Sequence, residues 1–301
     1  MSTNPQAAQM GDESMARNLD FQARAIWPQE QRLFQRYQLE GAFKALDVGC
    51  GTGEITLRLA ELFPEATLLG VDILPGNLAL AERALAVKAA LENDAAPGSP
   101  ETVGNETTLA NRPGLESRVN FREADAFALP AEDGSFDLVV CRHLSQAVPD
   151  FPGLLAELCR VLAPGGHLHL LSEDYGMLHM PHVRDQPDLD RFWVDVALPY
   201  LESIQCDGRV GRHSLPLVRA RGLEAARIDY VTVDSERVPR RLLAGIFEAW
   251  RDGYTEPLAA ATGRQASYVA ACFQGMIDAA KNPEAYLVWQ VPIISARKPT
   301  A

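Results

Sequence analysis

Ala45-Leu46-Asp47-Val48-Gly49-Cys50-Gly51-Thr52-Gly53-Glu54 begins as a buried strand and ends in a glycine-rich turn. Ile55, Leu59 and Leu62 follow at helical spacing, so the turn opens directly into a helix. Glycines at such a turn permit positive φ and let a ligand touch the backbone. The helix start behind them offers unpaired N–H groups and a partial positive charge, which suit an anion. A dinucleotide fingerprint would need glycine at position 54, where Glu54 would face a pyrophosphate with like charge. The Walker pattern also fails, because no Gly-Lys pair follows the loop. The loop therefore suits a ligand less negative than a pyrophosphate.

Strand-like runs at Phe43–Val48, Ala66–Val71, Val119–Phe121, Phe136–Cys141 and His167–Leu171 alternate with segments of helical period. That alternation implies crossover connections and a mostly parallel α/β sheet with helices on both faces. Two later strand candidates are Ala226–Val233 and Tyr286–Ala296, and Pro292 predicts an edge or a bulge for the second. Residues 15–39 predict an N-terminal helical extension in which Pro28 marks a break or the first turn of a new helix. Residues 93–117, rich in Pro and Gly with few apolar anchors, predict a flexible surface insertion. Helical stripes within 174–284, such as Leu242, Leu243, Ile246, Phe247 and Trp250, are read first as core packing and otherwise as a cap enclosing a ligand. The expected organisation is an extension over 1–42 and one domain over 43–301.

Asp47-Val48-Gly49-Cys50-Gly51-Thr52-Gly53 resembles motif I of class I S-adenosylmethionine-dependent methyltransferases, close to their ubiquinone/menaquinone-type small-molecule branch. Gly70-Val71-Asp72-Ile73 and Arg122-Glu123-Ala124-Asp125-Ala126 stand at the matching ends of the next two strands, and the likeness covers residues 43–172. The resemblance implies a Rossmann-like sheet of seven strands, the last antiparallel. It implies S-adenosyl-L-methionine as cofactor, S-adenosyl-L-homocysteine as product and a small-molecule methyl acceptor. By the same resemblance Gly49, Cys50, Gly51 and Gly53 receive the methionine part, with Asp47 near its amino group. Asp72 binds the ribose, Ile73 packs on the adenine, and Asp125 and Ala126 meet the adenine edge. Cys141 and Arg142, ending the fourth strand, complete the expected cofactor set. The N-terminal extension, with Trp27, would form a lid.

Methyl transfer from a sulfonium is an in-line displacement in which positioning supplies most of the acceleration. A base is needed only when the acceptor arrives protonated. His143 and Tyr175 are the catalytic candidates, and Trp27, Glu173, Asp174 and His179 the acceptor-binding ones. The acidic Glu173-Asp174 pair favours a nitrogen acceptor, amine or heteroaromatic, over oxygen. His179 and His182 lack the spacing of a metal site, and no metal is expected. His167 and His169 share one strand face, as core residues would. The alternative function is a cofactor-binding protein, or a catalyst on the same fold, that does not methylate.

Composition narrows the class further. Among the 301 residues, 28 Lys and Arg stand against 40 Asp and Glu, a net charge of −12 that disfavours nucleic acid. Only Lys44, Lys88, Lys281 and Lys298 are lysines, so no polybasic membrane patch exists. Five scattered cysteines, a polar N-terminus and the lack of a long apolar run predict a reduced, cytoplasmic protein, with a homodimer left open.

Overall fold

The computed structural model describes residues 4–94, 114–181 and 187–300. Most of the expected 93–117 insertion, and His182, lie outside them. The chain starts with α1 (Ala7–Met10) and α2 (Glu13–Phe34), then runs β1 (Lys44–Val48), α3 (Glu54–Leu62), β2 (Thr67–Asp72), α4 (Pro75–Asp94), α5 (Leu115–Arg118), β3 (Val119–Glu123) and β4 (Phe136–Arg142). Next come α6 (Phe151–Val161), β5 (Leu162–Leu171), β6 (Leu178–His179), α7 (Leu189–Phe192), α8 (Leu198–Ser203) and α9 (Val210–Ala220). The chain closes with β7 (Glu224–Asp234), α10 (Arg240–Thr262), α11 (Ala266–Lys281) and β8 (Val288–Arg297).

The strands form one sheet in the order β3-β2-β1-β4-β5-β8-β6, with β7 also paired to β8. Strands β1 to β5 are parallel, and β8 runs antiparallel to both β5 and β7. Among the described residues the sheet has eight strands rather than the expected seven. The extra one is β6, whose two residues pair with Val288 and Trp289 beyond the end of β5. Pro292 corrects a second expectation, because β8 is internal. Ser172 N–H donates to the Pro292 carbonyl, just past the last β5 register pair Leu171↔Ile293. The absent Pro292 N–H therefore costs one ladder bond at the point where β5 has already ended.

Side-chain alternation along β4 divides the core. Leu138 and Val140 pack with Trp27 and Phe34 of α2 and Ile55 and Leu59 of α3, while Val139 and Cys141 pack with Leu154 and Leu158 of α6. A third cluster joins Ile26 of α2 to Phe192, Phe247, Trp250 and Phe273 of the later helices and to Trp289 and Val291 of β8. Helix α2 therefore lies between the sheet and α10, and it runs unbroken through Pro28, contrary to the expected break. Burial on both sides outweighs the local penalty of a proline that cannot donate to the helix. The start of α2 is held by Asp12, whose carboxylate accepts from Ser14 N–H at 2.9 Å. Within the segment 174–284, β7 belongs to the sheet.

Candidate active site

The carboxyl ends of β1, β2 and β4 meet at a cleft of about 710 Å³, lined by Gly49, Gly51, Asp72, Ile73, Asp125 and Ala126 among others. A contiguous pocket of about 360 Å³ shares Gly49, Arg142 and His143 with it and adds Asp47, Cys50 and Thr52. Gly49, Gly51 and Gly53 all have positive φ, and a Cβ on Gly53 would stand 2.8 Å from both Ala81 and Phe121. No side chain caps α3, so its first N–H groups remain available to a ligand.

Each acid of the loop is held by a short bond. Asp72 accepts from Gly51 N–H at 2.8 Å and Leu74 N–H at 2.9 Å, which ties the end of β2 to the glycine loop. Burial raises its pKa against those two amides. Asp125 accepts from Phe127 N–H at 3.0 Å. Asp47 accepts from the Thr56 hydroxyl at 2.7 Å, and burial pushes its pKa up to about 6 against that bond. A ligand ammonium placed on Asp47 would have to find it ionised. S-adenosylhomocysteine affinity should therefore fall as pH drops below about 6, by up to about tenfold per pH unit. Calorimetry at pH 5, 6 and 7.5 measures this, and a flat profile would remove Asp47 from the amino group.

Arg142 leaves β4 into a buried polar network invisible in the sequence. Its Nε donates to Glu30 of α2 at 2.8 Å, and Glu30 also receives His169 Nε2 at 3.0 Å. His169 Nδ1 lies 2.7 Å from the Tyr37 hydroxyl. Burial drives His169 toward the neutral form, so its Nε2–H donates to Glu30 and its Nδ1 accepts from Tyr37. Burial pushes Glu30 upward, but Arg142 and His169 more than reverse this and leave its pKa at about 2. Arg142 lines the cleft, and its Nη2 is buried without a partner among the described residues.

His143, the next residue, has φ 52°, left-handed backbone that a non-glycine residue rarely adopts. Its Nδ1 lies 2.6 Å from Glu173 Oε1, while Nε2 is buried and has no partner among the described residues. With Nδ1–H given to the carboxylate, a neutral imidazole carries its lone pair on Nε2. Glu173 Oε1 thus orients His143. Asp174 is likewise engaged, at 2.5 and 2.8 Å from the Arg212 guanidinium and at 3.0 Å from Gly176 N–H. Asp174 is therefore engaged within the fold, whereas Glu173 Oε2 is buried without a partner among the described residues.

The other expected residues scatter. His179 is 60% exposed, faces Asp190 and lies outside the cleft lining. Trp27 sits in the core against Phe34, and the cleft-lining residues of α2 are Leu19, Gln22 and Ala23. Cys141 is buried on the α6 side of β4. Tyr175 lies in a separate aromatic cavity, its ring stacked on Trp193, with its hydroxyl pKa raised well above the ordinary value by burial. Neither Leu19 nor Glu30 announced itself, although both follow the helical period of α2 on its buried side. Among the described residues, no three His, Cys, Asp or Glu side chains cluster as a metal site would require, and no helix is long and apolar enough to cross a membrane.

The fold and the strand-end cleft are similar to those of class I S-adenosylmethionine-dependent methyltransferases. Residues 46–170 match the family model described as a methyltransferase domain. That stretch is similar to the quinone-type branch: demethylmenaquinone methyltransferase of Thermus thermophilus is 38% identical over 129 residues, 43% of this chain and 46% of that protein. The chain spans about half the length of the curated relatives it matches. Among solved structures, phosphoethanolamine N-methyltransferase 2 of Haemonchus contortus shares the fold with TM-score 0.53 and 16% identity, over 91% of this chain and 53% of that one. The [4+2]-cyclase SpnF shares it with TM-score 0.50 and 23% identity, over 90% of this chain and 81% of that one.

Proposed function

We propose that the chain is a methyltransferase whose small acceptor loses a proton to His143, so that oxygen, or a carbon activated by loss of an O–H proton, is favoured over nitrogen. The observation that carries this reading is the 2.6 Å His143–Glu173 pair in a residue that lines the cleft, with Nε2 buried and without a partner among the described residues. When bound, S-adenosylmethionine supplies an electrophilic methyl whose C–S bond breaks with its electrons going to sulfur. Arg142 Nη2 and Asp47 would hold the carboxylate and ammonium of its amino-acid end, which suits the unpartnered guanidinium atom and the raised carboxyl found there. Asp72 would take the ribose, and Asp125 and Ala126 the adenine. His143 Nε2 takes the acceptor proton, and the electron pair left behind forms the new bond to the methyl carbon. The demethylmenaquinone relative is in keeping with an acceptor of this chemistry, and it extends the expectation to ring carbon.

Isothermal titration with S-adenosylmethionine and S-adenosylhomocysteine tests the cofactor, and absence of binding to both would sink the reading. Asp72→Ala should weaken S-adenosylhomocysteine binding about tenfold or more, because a ribose diol loses a charged acceptor. Unchanged affinity would dismiss Asp72 from the ribose. The likeness to a [4+2]-cyclase along most of the chain sustains one second reading, a catalyst that binds the cofactor without spending it. Binding without release of S-adenosylhomocysteine across a panel of phenolic acceptors would favour that second reading.

A further inference from the structure

Arg142 lines both parts of the cleft, and Asp47 lines the smaller part with it. Two buried carboxylates therefore compete for one buried guanidinium: Glu30, brought by α2, and Asp47, near the end of β1. Glu30 holds it. Arg142 Nε donates to Glu30 Oε1 at 2.8 Å, whereas Asp47 accepts from the Thr56 hydroxyl at 2.7 Å. Among the described residues no hydrogen bond joins Arg142 to Asp47, and Arg142 Nη2 is buried without a partner.

Glu30 is itself fixed from behind. His169 Nε2 donates to the same Oε1 at 3.0 Å, and the Tyr37 hydroxyl, 2.7 Å from His169 Nδ1, sets that tautomer. Asp47 faces Thr56 of α3, Arg142 of β4, Glu30 of α2 and Asp72 of β2, and it also acts on the thiols of Cys50 and Cys141. Arg142 is the one cation in that set. A buried charge that loses its partner turns to the nearest opposite charge, because leaving it unpaired costs more than moving a side chain. Without the charge of Glu30, Arg142 would turn to Asp47, at the expense of the Thr56 bond. That pair would join the two groups that a zwitterionic ligand needs apart.

We propose that Glu30 is a positioning residue that keeps Arg142 off Asp47 and so holds open a seat selective for a zwitterionic amino-acid end. The assignment rests on the methyltransferase reading and adds to it the group that sets cofactor selectivity from outside the strand-end motifs. A seated ligand completes a row of alternating charge: Glu30, Arg142, ligand carboxylate, ligand ammonium, Asp47. Each charge in that row has only opposite neighbours, the arrangement that repays the cost of taking ions out of water. An amine without the carboxylate leaves Arg142 unanswered on its ligand side. Helix α2, which also sends Leu19 and Gln22 to the cleft wall, thereby governs which ligands the cleft accepts.

Calorimetry on the full chain tests this with S-adenosylhomocysteine and its decarboxylated analogue, S-adenosyl-3-thiopropylamine. The parent should prefer S-adenosylhomocysteine by about tenfold or more, the worth of a charge-assisted carboxylate contact. Glu30→Gln keeps the shape of the side chain and removes its charge. It should weaken S-adenosylhomocysteine about tenfold or more and shrink the preference to within about threefold. Pairing with Arg142 also lowers the Asp47 pKa, so the acid limb of binding, at about pH 6 in the parent, should move down by about one unit or more. Lost packing alone would leave that limb in place. Glu30→Asp restores the charge and should bind S-adenosylhomocysteine within about threefold of the parent, with the limb unmoved. A Glu30→Gln chain with parent affinity, or with weaker affinity and an unmoved limb, would overturn the proposal. A Glu30→Asp chain weaker than Glu30→Gln would overturn it equally. So would a parent that binds both ligands alike, a result that depends on no variant folding. A chain that never takes up S-adenosylhomocysteine would instead overturn the methyltransferase reading beneath it.

Discussion

His143→Asn should lower the rate of S-adenosylhomocysteine formation by about a hundredfold or more while leaving S-adenosylmethionine affinity nearly unchanged. General-base catalysis by a positioned imidazole contributes on the order of 10²–10⁴ in rate, and asparagine has no basic lone pair to replace it. Asparagine is also the informative choice for the backbone. Position 143 sits at φ 52°, which Asn tolerates better than most residues, so a folding defect would not account for the loss. Glu173→Gln should cost about tenfold or more by a different route. The new amide can donate to Nδ1, which moves the imidazole proton to Nε2 and removes the lone pair from the working side. Both rates are read by initial velocity of S-adenosylhomocysteine release. A His143→Asn enzyme within about threefold of the parent would remove His143 from the chemistry.

Glu30→Ala should produce the largest loss of stability among polar substitutions in the chain, about 3–5 kcal/mol. Removing the carboxylate leaves Arg142 charged, buried and without its acceptor, and deprives His169 of its partner. At this chain length that corresponds to a fall of roughly 10 °C in Tm, measurable by scanning calorimetry. The same group makes a signed prediction about pH. The Glu30 carboxyl stands at about 2 in the fold against 4.5 for a free glutamate, so its contribution is complete above about 4.5. That contribution is lost as pH falls from 4.5 toward 2. The parent chain should therefore lose Tm over this acid window, and the Glu30→Ala chain should lose less across the same range. Equal acid sensitivity of the two would show that Glu30 is not the responsible carboxylate.

Residues near one another in sequence carried most of the fold. The glycine loop, Asp72 and Asp125 each lie within a few residues of a strand end, and a strand-turn-helix unit is local enough to read from period and turn chemistry. The parallel core β1 to β5 followed from the same local signals. Pro28 and Pro292 were misread for one reason: propensity states a local penalty, whereas burial on both sides of α2 and the pairing of β8 are gains made by distant residues. The two-residue β6 is too short to carry any period and exists only because Val288 and Trp289 offer it an edge.

The site divides along the same line. Sequence alone placed the glycine loop and the acids Asp72 and Asp125 at the strand-end cleft, because turn chemistry and charge at strand ends are local properties. Only the tertiary structure decided which of the neighbouring acids were free. It joined Glu173 to His143 across thirty residues and committed Asp174 to Arg212. It also brought Glu30 from α2 to Arg142 and placed Tyr175 among Trp193 and Trp250. A carboxylate reads identically in sequence whether it waits for a ligand or already holds a partner, and the difference is fixed by elements that meet only when the chain folds.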